Sequence, residues 1–154
     1  MNLHHLKERA DQSEDLKLKN LLDQLRSLIQ ELNQRRLPKD VIDHINHDVD
    51  EINASPLTGS ALRKLVKQKQ NQILKLLEKQ LKLVTKRYYQ TLWMVLGMSV
   101  FGVPIGVVMG SVIKNMGMIG VGFPIGMGIG IAVGSVLDKK AAEEGRQLNF
   151  ESKF

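Results

Sequence analysis

Hydrophobic positions in the first third of the chain recur at helical spacing. Leucines at positions 18, 21, 25, 28 and 32 fall on a heptad pattern, and Leu22 and Ile29 widen the stripe. Pro38 stops this helix near residues 35–36 and suits the start of the next one. Fewer than three clean heptads are present, so the pattern fits either one helix of a small bundle or a coiled coil between subunits.

The start of this first helix has polar signals. Ser13 is the predicted N-cap, and Glu14 and Asp15 suit the first turn. Residues 1–12 are polar and are predicted to be a flexible terminus.

Two further helices are predicted before the most apolar part of the chain. The second runs from about Lys39 to Asn53, and turn residues follow it up to Gly59. The third starts near Ser60. Because no proline or glycine occurs between Ser60 and Gly97, it is predicted to continue as one long stalk helix. Residues 13–88 are therefore predicted to form a cytoplasmic helical domain with a basic stalk.

The segment from Leu92 to Leu137 has a different pattern. It is 46 residues long, has Lys114 as its one formal charge, and holds eleven of the thirteen glycines. About 20 apolar helical residues cross a bilayer core, so this length predicts two spans, about 92–113 and 116–137, with a turn at Lys114-Asn115. The predicted hairpin, including its aromatic entry, covers 89–137, and residues 138–154 form a cytoplasmic tail.

The glycines of the two spans predict packing surfaces. Small residues let helix backbones approach closely inside a bilayer, where van der Waals contact drives association. Two rows repeat every four residues, one in each span, with Ser99 predicted beside the first row. Further glycines fall on the opposite side of the second span and predict contact with another copy. The predicted packing residues are Gly102, Gly106, Gly110, Gly120, Gly122, Gly126, Gly128, Gly130 and Gly134.

The two spans share a short repeated triplet, and the hairpin resembles spans of known membrane proteins. The triplet that starts at Pro104 recurs at Pro124. The hairpin resembles the glycine-zipper spans of small bacterial membrane proteins, most of them uncharacterised. The run 126–130 (Gly-Met-Gly-Ile-Gly) also resembles the glycine-rich helix of the ATP synthase rotor-ring subunit. That resemblance implies close-packed, ring-like assembly. The rotor's mid-membrane carboxylate is missing here, which argues against proton-driven rotation.

Charge is unevenly distributed along the chain and predicts a topology. Residues 1–59 carry 8 basic and 11 acidic side chains, whereas residues 60–90 carry 9 basic and 1 acidic. Basic residues in short loops stay on the cytoplasmic side, so both termini are predicted to be cytoplasmic at a bacterial inner membrane. The predicted interface residues are Tyr88, Tyr89, Trp93, Lys82, Lys86, Arg87, Lys139 and Lys140.

The lysine stripe of the third helix leaves three interpretations open. Lys75, Lys79, Lys82 and Lys86 could be a solvated stalk face, a contact for anionic headgroups or a nucleic-acid surface. Nucleic acid is the least favoured, because no aromatic residues that could stack on bases are interleaved with the lysines.

Candidate chemistry is sparse. The chain has no cysteine, and it lacks phosphate-loop and nucleophile-elbow motifs. His44 and His47 are spaced for one helix face, with Asp40 and Asp48 nearby, but no complete ligand set or second shell can be identified. We therefore predict no catalytic, cofactor or metal site.

The sequence thus predicts an all-α, non-enzymatic integral membrane protein. It would self-associate as a homo-oligomer through its glycine rows, contact the lipid bilayer and present a cytoplasmic helical domain as a scaffold or anchor for a protein partner. The alternative is an oligomeric pore or channel, and a weaker one is an anchor that tethers nucleic acid.

Overall fold

A computed structural model describes residues 2–8 and 15–150. These residues form two compact units, one of residues 2–84 with 148–150, the other of residues 85–147. The regular secondary structure of the described residues is all helical, as predicted, and the two long apolar helices both lie in the second unit.

The first unit is a three-helix bundle. Helix α1 spans Leu16–Asn33, α2 spans Lys39–Ala54 and α3 spans Gly59–Leu81. Their apolar faces meet in one core, in which Leu25, Ile45 and Leu62 are completely buried. Four of the five heptad leucines of α1 are thus buried within the chain, and Leu21 is partly buried against the core, as expected for one helix of a small bundle.

Helix α1 begins two residues later than its sequence signals suggest. Its N-cap is Asp15, whose carboxylate accepts hydrogen bonds from the N–H groups of Lys17 and Leu18 at 3.0 and 3.1 Å. Asp15 was predicted inside the first turn, and the predicted cap, Ser13, lies outside the described residues together with Glu14.

Residues 2–8 differ from the flexible terminus predicted for residues 1–12. They run without regular secondary structure, and Leu3 and Leu6 are buried in the bundle core. Asparagine side chains of α1 and α2 accept hydrogen bonds from backbone N–H groups at or next to these leucines. Residues 1 and 9–12 lie outside the described part of the chain.

The prediction of one continuous stalk helix from Ser60 into the apolar segment is wrong. Helix α3 ends at Leu81, and Lys82 takes a left-handed conformation with φ of 55°. This turns the chain so that the N–H of Leu83 bonds to the carbonyl of Leu77, while Leu83 and Val84 are buried. The backbone at Val84 also accepts a hydrogen bond from the N–H of Leu148.

The physical reason for this break is tertiary. A left-handed residue other than glycine costs roughly 1–2 kcal/mol, whereas full burial of a Leu or Val side chain contributes about 1.5–3 kcal/mol. Burial of Leu83 and Val84 therefore outweighs the helix propensity of the surrounding residues.

The second unit is a helical hairpin. Its first arm runs through α4 (Tyr88–Gly97), a π-helical segment (Met98–Gly102) and α5 (Val103–Ile113). Its second arm runs through a 3₁₀ segment (Met116–Val121) and α6 (Gly122–Glu143). The arms meet at Lys114-Asn115, where the sequence predicts the turn. Helix α6 continues six residues beyond the predicted end of the span at Leu137.

Both prolines of the hairpin lie where the helix type changes. Pro104 is the second residue of α5, a helix that follows directly on the π segment. Pro124 is the third residue of α6, a helix that follows directly on the 3₁₀ segment. A proline cannot donate to the carbonyl four residues earlier, and its ring clashes with that carbonyl in a regular α-helix. The altered turns before each proline accommodate this missing donor.

Candidate functional site: a glycine-lined hairpin

The hairpin has its smallest residues inside and its large apolar residues outside. All but two of the large hydrophobic side chains that are exposed in the described residues lie between Leu92 and Val136, for example Val108 at 61% and Val112 at 76%. Between Gly97 and Gly134, the buried residues are all glycines. This distribution is the reverse of that in the bundle, where leucines and isoleucines are buried.

Glycines of α6 contact the backbone of the first arm directly. A Cβ placed on Gly126 would lie 2.5 Å from the carbonyl oxygen of Gly97 and 2.7 Å from Cα of Gly102. One placed on Gly134 would lie 2.5 Å from both Cα of Gln90 and the carbonyl oxygen of Tyr89. Real Cβ contacts are essentially never below 3.0 Å, so the two arms can approach this closely only with glycine at these positions.

The same contact continues along both arms. A Cβ on Gly122 would collide with Gly102 and Gly106, and one on Gly130 would collide with Trp93. Gly106 meets the backbone of Ile119 in the 3₁₀ segment, whereas Gly110 has looser contacts at 3.3 Å or more. Both four-residue rows predicted from the sequence therefore lie between the arms of one chain, and they meet each other directly where Gly122 and Gly126 contact Gly102 and Gly106.

Gly97 belongs to this interface, and sequence reasoning missed it. It is five residues before Gly102 and so is out of step with a four-residue row. The π segment between them has wider turns, with i→i+5 hydrogen bonds, and keeps Gly97 in line with Gly102. The same segment corrects the prediction for Ser99, which is exposed and donates to the carbonyl of Val95 instead of lying beside the glycine row.

Gly120 and Gly128 lie away from the interface between the arms. No atom in the described part of the chain is within 4 Å of a Cβ built on either residue, beyond its immediate surroundings. Gly117 has one such neighbour, the side-chain oxygen of Asn115 at 3.1 Å. Within a single chain, the second glycine face is therefore open.

Asp138 is a second residue that the sequence analysis did not single out. Its carboxylate is 9% exposed and accepts hydrogen bonds from the backbone N–H groups of Tyr89 and Gln90, at 3.0 and 2.9 Å. These N–H groups are in the first turn of α4, where the helix leaves them without partners. The side chain of Gln90 also donates to the hydroxyl of Ser135 at 3.2 Å. The open end of the hairpin is thus joined by polar contacts.

This pairing brings the aromatic and basic residues of the two arms to one end. Tyr88 and Tyr89 begin the first arm, and their rings are 5.2 Å apart in an edge-to-face arrangement. Because Asp138 bonds to Tyr89, Lys139 and Lys140 follow at the same level on the second arm, and both are exposed. Trp93 is half-buried one to two turns further along α4.

The remaining basic interface residues lie outside the helices. Arg87 adopts a left-handed conformation just before α4 and its guanidinium bonds to the side chain of Gln90. Lys86 precedes it in the turn, whereas Lys82 belongs to the bundle unit. The lysine stripe proposed along one stalk helix consequently ends at Lys79, because Lys82 and Lys86 follow the end of α3.

The closed end of the hairpin has a hydrogen-bonded turn. Lys114 is left-handed with φ of 54°, the N–H of Asn115 bonds to the carbonyl of Gly110 at 3.0 Å, and that of Lys114 bonds to Ser111 at 3.3 Å. This is the Schellman pattern that commonly ends helices. The side chain of Asn115 then caps the second arm by accepting from the N–H of Gly117 at 3.0 Å.

The end of α6 also closes in this way. Gly145 has φ of 67°, and the N–H of Arg146 bonds to the carbonyl of Ala141 at 2.9 Å. The pKa of Arg146 is raised above its usual value, first by its hydrogen bond to the carboxylate of Glu144 and then by one to Tyr89.

The described residues contain no group of three or more His, Cys, Asp or Glu side chains that could hold a metal ion. No protein-family model, curated protein or solved structure matches the chain.

Proposed function

We propose that this protein is a non-enzymatic membrane anchor whose hairpin crosses a bilayer twice and whose helical bundle is held at the cytoplasmic surface as a scaffold for a partner. The observation that carries the proposal is the reversed burial of the hairpin: glycines pack the two arms together while valines, leucines and isoleucines cover the outside.

Exposure of the outer surface of the hairpin to water is unfavourable in free energy. Removing one Val, Leu, Ile or Phe side chain from water contributes about 1.5–3 kcal/mol, and the outer surface of the hairpin exposes more than a dozen of these side chains. Lipid tails would cover them all.

The dimensions of the hairpin fit this environment. The two arms, Tyr88–Ile113 and Met116–Glu143, have 26 and 28 residues. At 1.5 Å per residue the arms measure about 39 and 42 Å. These lengths match the full thickness of a bilayer, which consists of a hydrocarbon core of about 30 Å and the headgroup regions on both sides.

Aromatic and basic residues at the open end support a water–lipid boundary there. Tyrosine and tryptophan favour that boundary, and lysine side chains reach out to the headgroups. Tyr88, Tyr89, Lys139 and Lys140 share this end, whereas the closed end has only Lys114. The proposed orientation places the open end at the inner surface of a bacterial plasma membrane.

Trp93 is the one tryptophan of the chain and provides a test of insertion. The protein would be reconstituted in vesicles whose lipids carry a spin-label quencher at either a shallow or a deep position. We expect stronger quenching of Trp93 by the shallow label, because this residue lies near the start of the first arm.

A variant with its tryptophan moved to the middle of the first arm tests whether that part of the arm lies at the bilayer centre. In Trp93→Phe combined with Phe101→Trp, the tryptophan moves to the middle of the first arm, and the deep label should quench it more strongly. Phe101 is exposed, so the larger ring has room. Equal, weak quenching of both proteins by both labels would exclude insertion.

Self-association is the second part of the proposal. It rests on the face of α6 that holds Gly128 and lies open within one chain. Another copy could approach this face as closely as the two arms approach each other. Gly128→Leu should then lower the oligomer size of the detergent-solubilised protein, measured by light scattering, without preventing insertion.

Conductance distinguishes the scaffold from the pore. The purified protein would be fused into a planar bilayer and its current recorded. A scaffold leaves the bilayer electrically silent. Discrete current steps that disappear in Gly128→Leu would replace the scaffold proposal with an oligomeric pore.

A further inference from the structure

The N-terminal segment, residues 2–8, is held on the bundle as a bound peptide would be. Its leucines, Leu3 and Leu6, are 3% and 8% exposed, whereas the other residues of the segment are exposed. Side-chain amides of three asparagines contact its backbone: Asn33 of α1, and Asn46 and Asn53 of α2.

Asn46 clamps the backbone on both sides of Leu3. Its side-chain oxygen accepts from the N–H of His4 at 2.7 Å, and its amide nitrogen lies 3.5 Å from the carbonyl oxygen of Asn2. The N–H of Leu3 itself donates to the side-chain oxygen of Asn33 at 3.0 Å. Asn46 is 9% exposed, so the protein buries a polar group to make this clamp.

Asn53 repeats the clamp around Leu6. Its side-chain oxygen accepts from the N–H of Lys7 at 2.9 Å, and its amide nitrogen donates to the carbonyl of His5 at 3.0 Å. The two clamps use the same atoms in the same order relative to their leucines. This repetition distinguishes the arrangement from a terminus that merely lies against a bundle.

The spacing of the clamps matches the spacing of the leucines. Asn46 and Asn53 are seven residues apart on α2, which is about 10.5 Å along a helix. Leu3 and Leu6 are three residues apart, which is about 9–10 Å along an extended chain. Two turns of α2 therefore correspond to one three-residue repeat of the segment, the period of a polyproline II helix.

These contacts recognise a backbone more than a sequence. Both clamps bond to peptide N–H and C=O groups, which any residue except proline supplies in full. The specific requirement is an apolar side chain at every third position. One side-chain contact adds to this, because Nδ1 of His4 lies 3.0 Å from both carboxylate oxygens of Asp50.

We propose that the surface of α1 and α2 is a binding site for an extended peptide with leucines three residues apart. Its ligand in trans is the N-terminal segment of a second copy of this chain, and residues 2–8 of the same chain occupy the site when no copy is bound. The sequence seen in the site is the chain's own, so a second copy offers the same leucines and the same backbone contacts.

Exchange between copies replaces each contact with an identical one. Such swapping of an identical element is a low-cost route to association. The segment attached in cis competes with an effective concentration in the millimolar range. The site is thus closed in a dilute monomer and becomes available where copies are concentrated.

The first experiment measures binding of a labelled peptide with the sequence of residues 1–10, by fluorescence anisotropy, to the full chain in detergent. In Leu3→Asp combined with Leu6→Asp the cis segment is released, and we expect saturable binding. The parent should bind the peptide at least about tenfold more weakly because of competition in cis.

Variants of the clamps decide whether the peptide occupies this site. Adding Asn46→Ala and Asn53→Ala to the released variant should weaken peptide binding by at least about tenfold, since each clamp loses hydrogen bonds. Asn71→Ala, at an exposed position of α3, is the matched control and should leave binding unchanged. The proposal would be overturned if the released variant bound the peptide equally well with and without the two asparagine substitutions. It would also be overturned if the released variant bound no peptide although its far-UV circular dichroism matched that of the parent protein.

A measurement on the parent avoids any dependence on how the variants fold. Hydrogen exchange of the backbone amides of Leu3, His4 and Lys7 should accelerate when millimolar peptide displaces the cis segment. A peptide that carries Leu3→Asp and Leu6→Asp should have no effect. Unchanged exchange at saturating parental peptide would contradict a displaceable segment.

The last experiment tests whether the ligand is a second copy of the chain. The released variant, which keeps its site, is mixed with the Asn46→Ala/Asn53→Ala protein, which keeps its segment. With single cysteines at Ser60 carrying donor and acceptor dyes, the mixture should show energy transfer above that of either protein alone. Binding of the free peptide without energy transfer between copies would exclude the second copy as the ligand.

Discussion

The carboxylate of Asp138 accepts a hydrogen bond from the backbone N–H of Tyr89 at 3.0 Å, across the two arms of the hairpin. The neighbouring N–H of Gln90 donates to the same carboxylate at 2.9 Å. A residue near the end of the last helix thus supplies the N-terminal cap of α4, which has no side-chain cap of its own. This cap fixes the level at which the two arms meet.

Removal of this cap should loosen the open end of the hairpin. We expect Asp138→Ala to lower the free energy of unfolding in mixed micelles by about 1–2 kcal/mol, the usual effect of losing an N-cap. Asp138→Asn should lose less, because asparagine also caps well. Glu143→Gln, at an exposed position five residues later, is the control. Equal effects of Asp138→Ala and Glu143→Gln would argue against the cap.

Alanine at two glycines of α6 should have opposite effects. Gly126→Ala should destabilise the hairpin by about 1–3 kcal/mol, since its methyl group would meet the backbone of Gly97 and Gly102. In the monomeric protein, Gly128→Ala should be neutral or stabilising by up to about 1 kcal/mol, because alanine has the higher helix propensity and this site is open within one chain. Unfolding of both variants in SDS mixed micelles, at a dilution where the chain is monomeric, provides the comparison, and similar losses would disprove the assignment of faces.

Glycine at Lys82 distinguishes a broken stalk from a continuous helix. Lys82 is left-handed, so Lys82→Gly should raise the stability of the bundle by about 1 kcal/mol by removing the strain of its Cβ. In a continuous helix the same change would cost about 1 kcal/mol. Lys79→Gly, inside α3, should cost that amount and serves as the control. Chemical denaturation followed by circular dichroism gives the sign.

The bundle should lose stability in acid partly through Glu51. Its hydrogen bond to Lys69, at 2.5 Å, holds the pKa of the Glu51 carboxyl below its ordinary value of 4.5. The stabilisation is therefore present above the unfolded-state pKa and is lost as the pH falls through the lower folded-state pKa.

Glu51→Gln should consequently reduce the melting temperature at pH 7 and flatten its decline as the pH falls below about 4.5. The bonds to Glu51 and Asp48 raise the pKa of Lys69 above 10.5, so its own contribution is lost only in strong alkali. Asp43→Asn, on the exposed face of α2, is the control. A parental pH profile in Glu51→Gln would exclude this pair as a source of acid sensitivity.

The proposed topology can be tested because the chain has no cysteine. Single cysteines at Ser60, Met116 and Asn149 would be exposed to an impermeant maleimide applied to intact cells. We expect labelling at position 116 alone, since the excess of basic residues at the open end keeps that end cytoplasmic. Labelling at 60 and 149 without 116 would reverse the orientation.

The sequence by itself determined the elements that follow from local pattern. The heptad leucines fixed α1 and its buried face, Pro38 fixed the start of α2, and Lys114-Asn115 fixed the turn of the hairpin. Both four-residue glycine rows could also be read from spacing. In each case neighbours along the chain carry the signal, because helical periodicity places residues three and four apart on one face.

Only the tertiary structure decided the features that depend on distant residues. Helix α3 stops at Leu81 because Leu83 and Val84 gain burial, although the local sequence favours continuation. Gly97 joins the glycine row through a π segment, and Asp138 caps a helix 49 residues away from it in sequence. The N-terminal segment is ordered by asparagines more than 30 positions along the chain, such as Asn46 and Asn53. In each of these cases tertiary packing decides which groups meet, because its free energy outweighs helix propensities of less than about 1 kcal/mol per residue.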